Sequence, residues 1–375
     1  MTRLLARSYA VLLSLPAFSL FLCAARAVDL PTQKDSRLIS VFHADRIWNA
    51  VATTPDGRVF VGFPSFDRPG VQVEELGPDG NGHPYPTAGW NARKSGGGLK
   101  SAFVHANALR IGPDGALYIV DAGSPGPGQP IVPGGARLFR IDLSTNRVTR
   151  TYSLAPGIRD KSYINDVRFN GSHAYFSDSG APGLLVLELK TGAVRRVLND
   201  DPSTTDLRPM RADGRILADR QGHELRVQAD QIEVSPNGDY LYYQPASGPM
   251  ARIETRWLDD PFVSATKLAR HVENWLDTPT CGGTAIDADG NIYFTDPDHR
   301  SILKISPNKA IRTLISDPRL IWGDALWIDR EGFLWIPATQ INLAPAFNNG
   351  RQGIHYPVWI YKMQVDARPP IRDHP

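Results

Sequence analysis

The sequence predicts an all-β, six-bladed propeller with four-stranded blades, and three observations predict it. A polar turn ending in glycine and followed by alternating apolar residues recurs six times. Its copies lie roughly fifty residues apart, the period of propellers and solenoids. The last copy lacks a fourth strand, while a spare strand precedes the first copy.

The turn glycines are Gly57, Gly115, Gly171, Gly238, Gly290 and Gly332. The cleanest copies are Pro-Asp-Gly-Ala-Leu-Tyr-Ile-Val-Asp at 113–121 and Asp-Gly-Asn-Ile-Tyr-Phe-Thr-Asp at 289–296. Such a phrase is a hairpin turn feeding a strand. Glycine suits the turn because it takes positive φ at little steric cost.

Further strands follow each turn. After Asp121 come 136–142, a turn at 144–146, then 148–154. After Ser179 come 183–189, a turn at Thr191-Gly192, then 194–198. After Asp298 come 301–305, a turn at Pro307-Asn308, then 311–315. One repeat is therefore an antiparallel four-stranded blade. The sixth repeat has strands at 325–329, 333–337 and 357–365 and then runs out in Arg368-Pro369-Pro370. Residues 38–42, Leu-Ile-Ser-Val-Phe, resemble the fourth strands of other repeats. They are expected to complete the last blade and remove its open edge.

Residues 1–27 read as a secretory signal, with Arg3 and Arg7, an apolar run from Tyr9 to Ala24, and Ala25-Arg26-Ala27 for cleavage. Residues 28–375 then form the propeller domain, expected to be secreted or periplasmic. Cys23 lies in the signal, which leaves Cys281 and no internal disulfide. A net charge of +2 without a basic stripe argues against nucleic acid. No other apolar stretch approaches a membrane span, so no membrane contact is expected after cleavage. A monomer is expected.

Eight residues before the turn glycine stand Asn49, Asn107, Asp230, Gly282 and Asp324; the shorter third turn puts Asn165 in that column. Each opens an inner strand, and inner strands line the propeller channel. The column is expected to form a ring at one channel mouth, although Asn and Asp also favour strand starts. Two segments exceed the blade template, 77–106 with Trp90 and a glycine run at 96–98, and 199–229. Both lead into inner strands and are expected on the same face, where long loops carry function. His105, Lys161, Tyr163, His223 and Trp322 all precede inner strands and are candidates for a pocket with aromatic walls. Trp327, Trp335 and Tyr118 lie within strands and are expected to pack between blades. Cys281 reads as a buried structural thiol. The sequence contains no Gly-x-Ser-x-Gly elbow and no His-Glu-x-x-His. The glycines at 123–128 are interrupted by proline and lead into no helix, which argues against a phosphate cradle.

Three phrases carry a resemblance: Asn-Ala-Leu-Arg-Ile-Gly-Pro-Asp-Gly-Ala-Leu-Tyr-Ile-Val-Asp-Ala-Gly at 107–123, Asn-Asp-Val-Arg-Phe at 165–169 with Tyr-Phe-Ser-Asp-Ser-Gly at 175–180, and Trp-Gly-Asp-Ala-Leu-Trp-Ile-Asp at 322–329. The chain resembles the yellow/major royal jelly protein family and, more distantly, the gluconolactonase-like six-bladed propellers. The first resemblance implies a secreted propeller with a small-molecule pocket at the channel mouth. Amine binding, dopachrome conversion and structural roles all occur in that family. Isomerase-like activity on a cyclic or aromatic substrate is one expectation, and a non-catalytic interaction scaffold is another. The gluconolactonase resemblance implies a metal-dependent lactonase, with Asn165 as an accessory Asn, Asp230 at the ligand Asn, Gly282 at the ligand Asp and Asn49 at the ligand Glu. Two of those positions depart from the pattern. Asn165, Asp230 and Asp324 remain the candidates for holding a cation such as calcium.

Overall fold

A computed structural model describes residues 28–65, 67–68, 70–92 and 98–375. Residues 1–27, where the signal is expected, and Gly96-Gly97 lie outside the described residues. Six four-stranded antiparallel sheets form the blades. Their inner strands are Ala50–Thr53, Ala106–Ile111, Ile164–Asn170, Ala229–Val234, Thr284–Ile286 and Trp327–Ile328. All six turn glycines have positive φ, from 58° at Gly171 to 89° at Gly57, so the repeated turn is a backbone requirement.

The last blade closes as the sequence predicts. Ile39–Ala44 pairs antiparallel with Val358–Gln364, the third strand of blade 6. The junction is tied again at the inner strands. Trp48 Nε1 donates to the Val358 carbonyl at 2.9 Å, and Trp327 Nε1 donates to Thr53 Oγ1 at 2.9 Å. Trp335 stacks on Phe42 of the closing strand, and Tyr118 of blade 2 lies 4.5 Å from Phe169 of blade 3. These three aromatics are packing residues between blades or strands, as their place in the repeat suggests.

The two long segments differ in role. Part of 77–106 is ordinary blade: Gly82–Pro84 is the fourth strand of blade 1. Trp90 packs on Phe103 and Phe139 at 5.3 and 5.0 Å, inside the contact with blade 2. Segment 199–229 contains a small hairpin, Arg211–Ala212 with Arg215–Ile216, and runs over the channel mouth.

Candidate ligand site at the channel mouth

Every inner strand starts at one face of the disc and ends at its turn glycine on the other. Carboxylates at the ends of second strands hold the segments that enter the inner strands. Asp121 accepts the backbone N–H groups of Val104 and His105, both at 2.9 Å, and pairs with Arg137 at 2.7 Å. Asp178 accepts the N–H of Tyr163 at 2.8 Å and pairs with Arg196 at 2.7 Å. Three inner strands then break register at the ring position: between Ala106 and Ala108, between Ile164 and Val167, and between Ala229 and Gln231. A bulge leaves one residue unpaired and re-aims its side chain. In these three blades the unpaired positions include Asn107, Asn165 (with Asp166) and Asp230.

The side chains link blade to blade in one direction. Asn49 Nδ2 donates to the Asn107 carbonyl at 2.6 Å and to its Oδ1 at 3.1 Å. Asn107 Nδ2 donates to the Asn165 carbonyl at 2.9 Å and to its Oδ1 at 3.1 Å. Asn165 Nδ2 donates to Asp230 Oδ1, and Gln231 Nε2 donates to Asp230 Oδ2 at 2.6 Å. Backbone carbonyls fix the orientation of the Asn49 and Asn107 amides, and Asn107 Nδ2 and Asp230 fix that of Asn165, because a flipped amide would set like atoms against each other. The ladder therefore ends with donors aimed at one carboxylate.

Blade 5 contributes no side chain to the ring. A Cβ on Gly282 would lie 2.2 Å from the Gly323 carbonyl oxygen, and one on Gly283 would lie 2.3 Å from the Ala325 nitrogen. The backbone of blade 6 fills that space. It is itself constrained: Trp322 and Ala325, which flank the Gly323-Asp324 pair, have φ of 52° and 37°. Left-handed backbone at such residues costs about 1 kcal/mol each. Asp324 Oδ1 accepts the Ala325 N–H at 2.8 Å, which anchors its carboxyl at the rim of the ring.

A cavity of about 1020 Å³ opens at this mouth. Asn49, Asn107, Lys161, Tyr163, Asn165, Asp230, Trp322 and Asp324 all line it, so the structure brings together eight of the ten expected residues. His105 does not reach it. That ring is fully buried behind Tyr163, whose hydroxyl lies 3.1 Å from His105 Nε2 and 2.9 Å from Asn107 Oδ1. Burial lowers the His105 pKa. His223 is also misplaced by the sequence: it projects from the outer turn of the 199–229 segment, and its side chain is 79% exposed. Lys161 lies on the rim. Cys281 is buried, and burial pushes its thiol well above the ordinary range, as suits a structural residue.

Several walls of the cavity carry no sign in the sequence pattern. Met210, Leu225 and Val227 come from the 199–229 segment, and Ile341, Ala346 and Phe347 from the long connection in blade 6. Residues 127–130 of the proline-rich loop form part of the rim. Asp166 and Gln231, each beside a ring residue, also line the cavity; their adjacency to the column was the available signal. No described residue of 77–106 lines it.

The electrostatics are dominated by two half-buried carboxylates. Burial, then the charge of Asp324, pushes Asp230 well above the usual carboxylate range. Burial pushes Asp324 up to about 7, against the opposing hydrogen bonds from Ala325 and Trp322. A carboxyl whose folded pKa is raised stabilises the protein below its unfolded pKa and loses that contribution as pH rises through the folded value. The wild type should therefore lose a few kcal/mol relative to Asp324→Asn between about pH 4 and about pH 7. Thermal midpoints of both proteins across that range check this; parallel curves would contradict it.

The donor set does not fit a resident divalent cation of the lactonase kind. Asn165 turns its amide nitrogen, not its oxygen, toward Asp230, and both Asp230 oxygens already accept amide hydrogens. The steric limit at Gly282 removes the third acidic ligand. Among the described residues no group of three or more His, Cys, Asp or Glu has metal-holding geometry. Asn165, Asp230 and Asp324 thus meet at one cavity, but as a hydrogen-bonded ladder end and a separate carboxyl.

Residues 105–367 match the sequence profile of the major royal jelly protein family. The chain belongs to that family. No protein of curated function matches it. Solved structures of the same propeller architecture include regucalcin, a calcium-binding protein of Agrobacterium tumefaciens (TM-score 0.52, 12% identity, 88% of this chain and 96% of that one). They also include a gluconolactonase of Xanthomonas campestris (TM-score 0.51, 10% identity, 87% and 89%) and virginiamycin B lyase of Staphylococcus aureus (TM-score 0.51, 13% identity, 88% and 98%). At these identities the likeness is one of fold.

Proposed function

We propose that this member of the major royal jelly protein family is an exported propeller that binds a small organic cation with a cyclic or aromatic body at the channel mouth. The observation that carries the reading is the pair Asp230 and Asp324, half-buried in one cavity on either side of a blade whose ring position is a glycine. Two such carboxyls are held partly neutral at a cost, which a cation between them removes. The nearby Arg168 leaves that field in place, because it is committed to Glu233 at 2.8 Å and to Asp166 at 2.6 Å. Trp322, Met210, Ile341 and Phe347 supply an apolar wall for the ligand's body. A cation over an aromatic face adds to the attraction.

One further observation favours chemistry as well as binding. Asp324, with a pKa of about 7, is poised to take and return a proton near neutral pH. That suits an isomerase-like proton shift on the bound cyclic or aromatic molecule better than hydrolysis, for which the cavity lacks a metal donor set.

The binding reading is tested with three probes of one shape: benzylamine, benzyl alcohol and benzoate, at pH 8. Benzylamine should raise the thermal midpoint, with a stabilisation of about 2.7 kcal/mol when its concentration is 100 times Kd. The neutral and anionic probes should shift it far less. Equal shifts for all three, or none, would overturn the reading.

A further inference from the structure

The segment after the last strand turns back across the far face of the disc. The Ala288 N–H, at the turn of blade 5, donates to the Arg368 carbonyl at 2.8 Å. Arg372 NH1 approaches Asn170 Oδ1 of blade 3 at 3.4 Å. Beyond the second contact the chain packs against the inner strands of blades 2 and 6. The His374 ring is 4% exposed and stacks on Trp327, centroid to centroid 3.8 Å at 21°. His374 Nε2 lies 2.8 Å from the Ile328 carbonyl, and its Nδ1 lies 2.7 Å from Asp373 Oδ2. Asp373 pairs with Arg110 at 3.3 Å. Burial opposes the Asp373 charge, but the Arg110 guanidinium and the His374 hydrogen bond hold its pKa below the ordinary carboxylate value.

Arg110 joins the two mouths. It belongs to the floor of the ligand cavity and is 6% exposed. Its NH2 is taken by Asp373 and its guanidinium lies 5.2 Å over Trp327, the same ring that His374 stacks on. Its Nε has no hydrogen-bond partner among the described residues. Without Asp373 the guanidinium would lose its counter-charge in a buried place, a costly arrangement.

We propose that residues 369–375 are a docked plug: Asp373 and His374 occupy a recognition slot built from Arg110, Trp327 and the Ile328 carbonyl, and this docking sets the floor of the ligand cavity on the other side. The channel is then a dead end, entered from the loop-bearing face alone. The coupling to ligand rests on the reading above; the docking does not.

Two full-chain variants, Asp373→Ala and His374→Ala, test it, with hydrogen exchange of strand 106–111 and benzylamine affinity at pH 8 as readouts. Exchange in that strand should rise at least tenfold in both variants, and benzylamine affinity should fall at least threefold. A chain truncated after Arg368, given the synthetic peptide Arg-Pro-Pro-Ile-Arg-Asp-His-Pro, should bind it saturably and regain exchange protection, whereas the same peptide carrying the Asp373→Ala change should not bind. Wild-type exchange in folded Asp373→Ala, or no peptide binding by a folded truncated chain, would overturn the docking. Wild-type benzylamine affinity in variants with raised exchange would overturn the coupling. Should the wild type itself ignore benzylamine, the ligand reading fails and exchange alone decides the plug.

Discussion

Deleting residues 28–44 will lower the unfolding midpoint by about 10 °C or more. The closing strand Ile39–Ala44 supplies the outer edge of blade 6 through its pairing with Val358–Gln364. With it go the buried side chain of Leu38 and the half-buried Val41 and Phe42. At about 1.5–3 kcal/mol for each large apolar side chain, their loss approaches about 5 kcal/mol. A polar clasp is lost as well. The Asp35 N–H donates to Asp317 at 2.7 Å, and Arg319 donates to the Asp35 and Leu38 carbonyls at 2.7 and 3.1 Å. Typical domains have about 5–15 kcal/mol in all, so this is a large share. The unpaired Val358–Gln364 edge also becomes a template for aggregation. A truncated chain that melts with the full one would show that the ring does not depend on this strand.

The second large effect is expected at Gly282. Gly282→Asp places a carboxylate where the gluconolactonase resemblance expects a ligand, and the fold should reject it. The new Cβ would meet the Gly323 carbonyl oxygen at 2.2 Å and Trp322 Nε1 at 2.9 Å. The blade 6 backbone cannot retreat easily, since it already holds Trp322 and Ala325 at positive φ. Overpacking of this kind costs about 3 kcal/mol, and the displacement falls on Asp324. A lowered denaturation midpoint together with lost benzylamine binding is the expected result. A variant of wild-type stability would mean that the gap at blade 5 is a matter of choice rather than of packing.

The fold was legible because its signals are local. Glycine at positive φ and apolar alternation mark each turn and strand within a dozen residues, and the closing strand shows as a fourth strand in the wrong place. Boundaries moved by a residue or two, as at Trp327–Ile328, where the strained segment around Asp324 delays pairing. The ring was legible for the same reason: a column in register before a repeated turn must return to the same end of each blade. Side-chain direction was not. Nothing near His105 reveals that Asp121 pins its backbone so that the ring faces inward, behind Tyr163. His223 sits in a segment that does cover the mouth, yet its turn points it to solvent. The cavity wall from Ile341 and Phe347, the steric limit at Gly282 and the docking of His374 on Trp327 all depend on contacts between distant parts of the chain. No single stretch encodes them.

The central claim is that Asp230 and Asp324 together hold a ligand's positive charge. Its most direct test is the affinity of benzylamine, measured calorimetrically from pH 6 to pH 8 in the wild type and in Asp324→Asn. With Asp324 titrating near 7, wild-type affinity should fall about tenfold from pH 8 to pH 6, as the cation must expel a proton to bind. Asp324→Asn should bind weakly at pH 8 and lose the part of that pH dependence that Asp324 contributes, and Asp230→Asn should bind more weakly still. Benzylamine affinity that is flat across this range in the wild type, or unchanged in both variants, would contradict the claim.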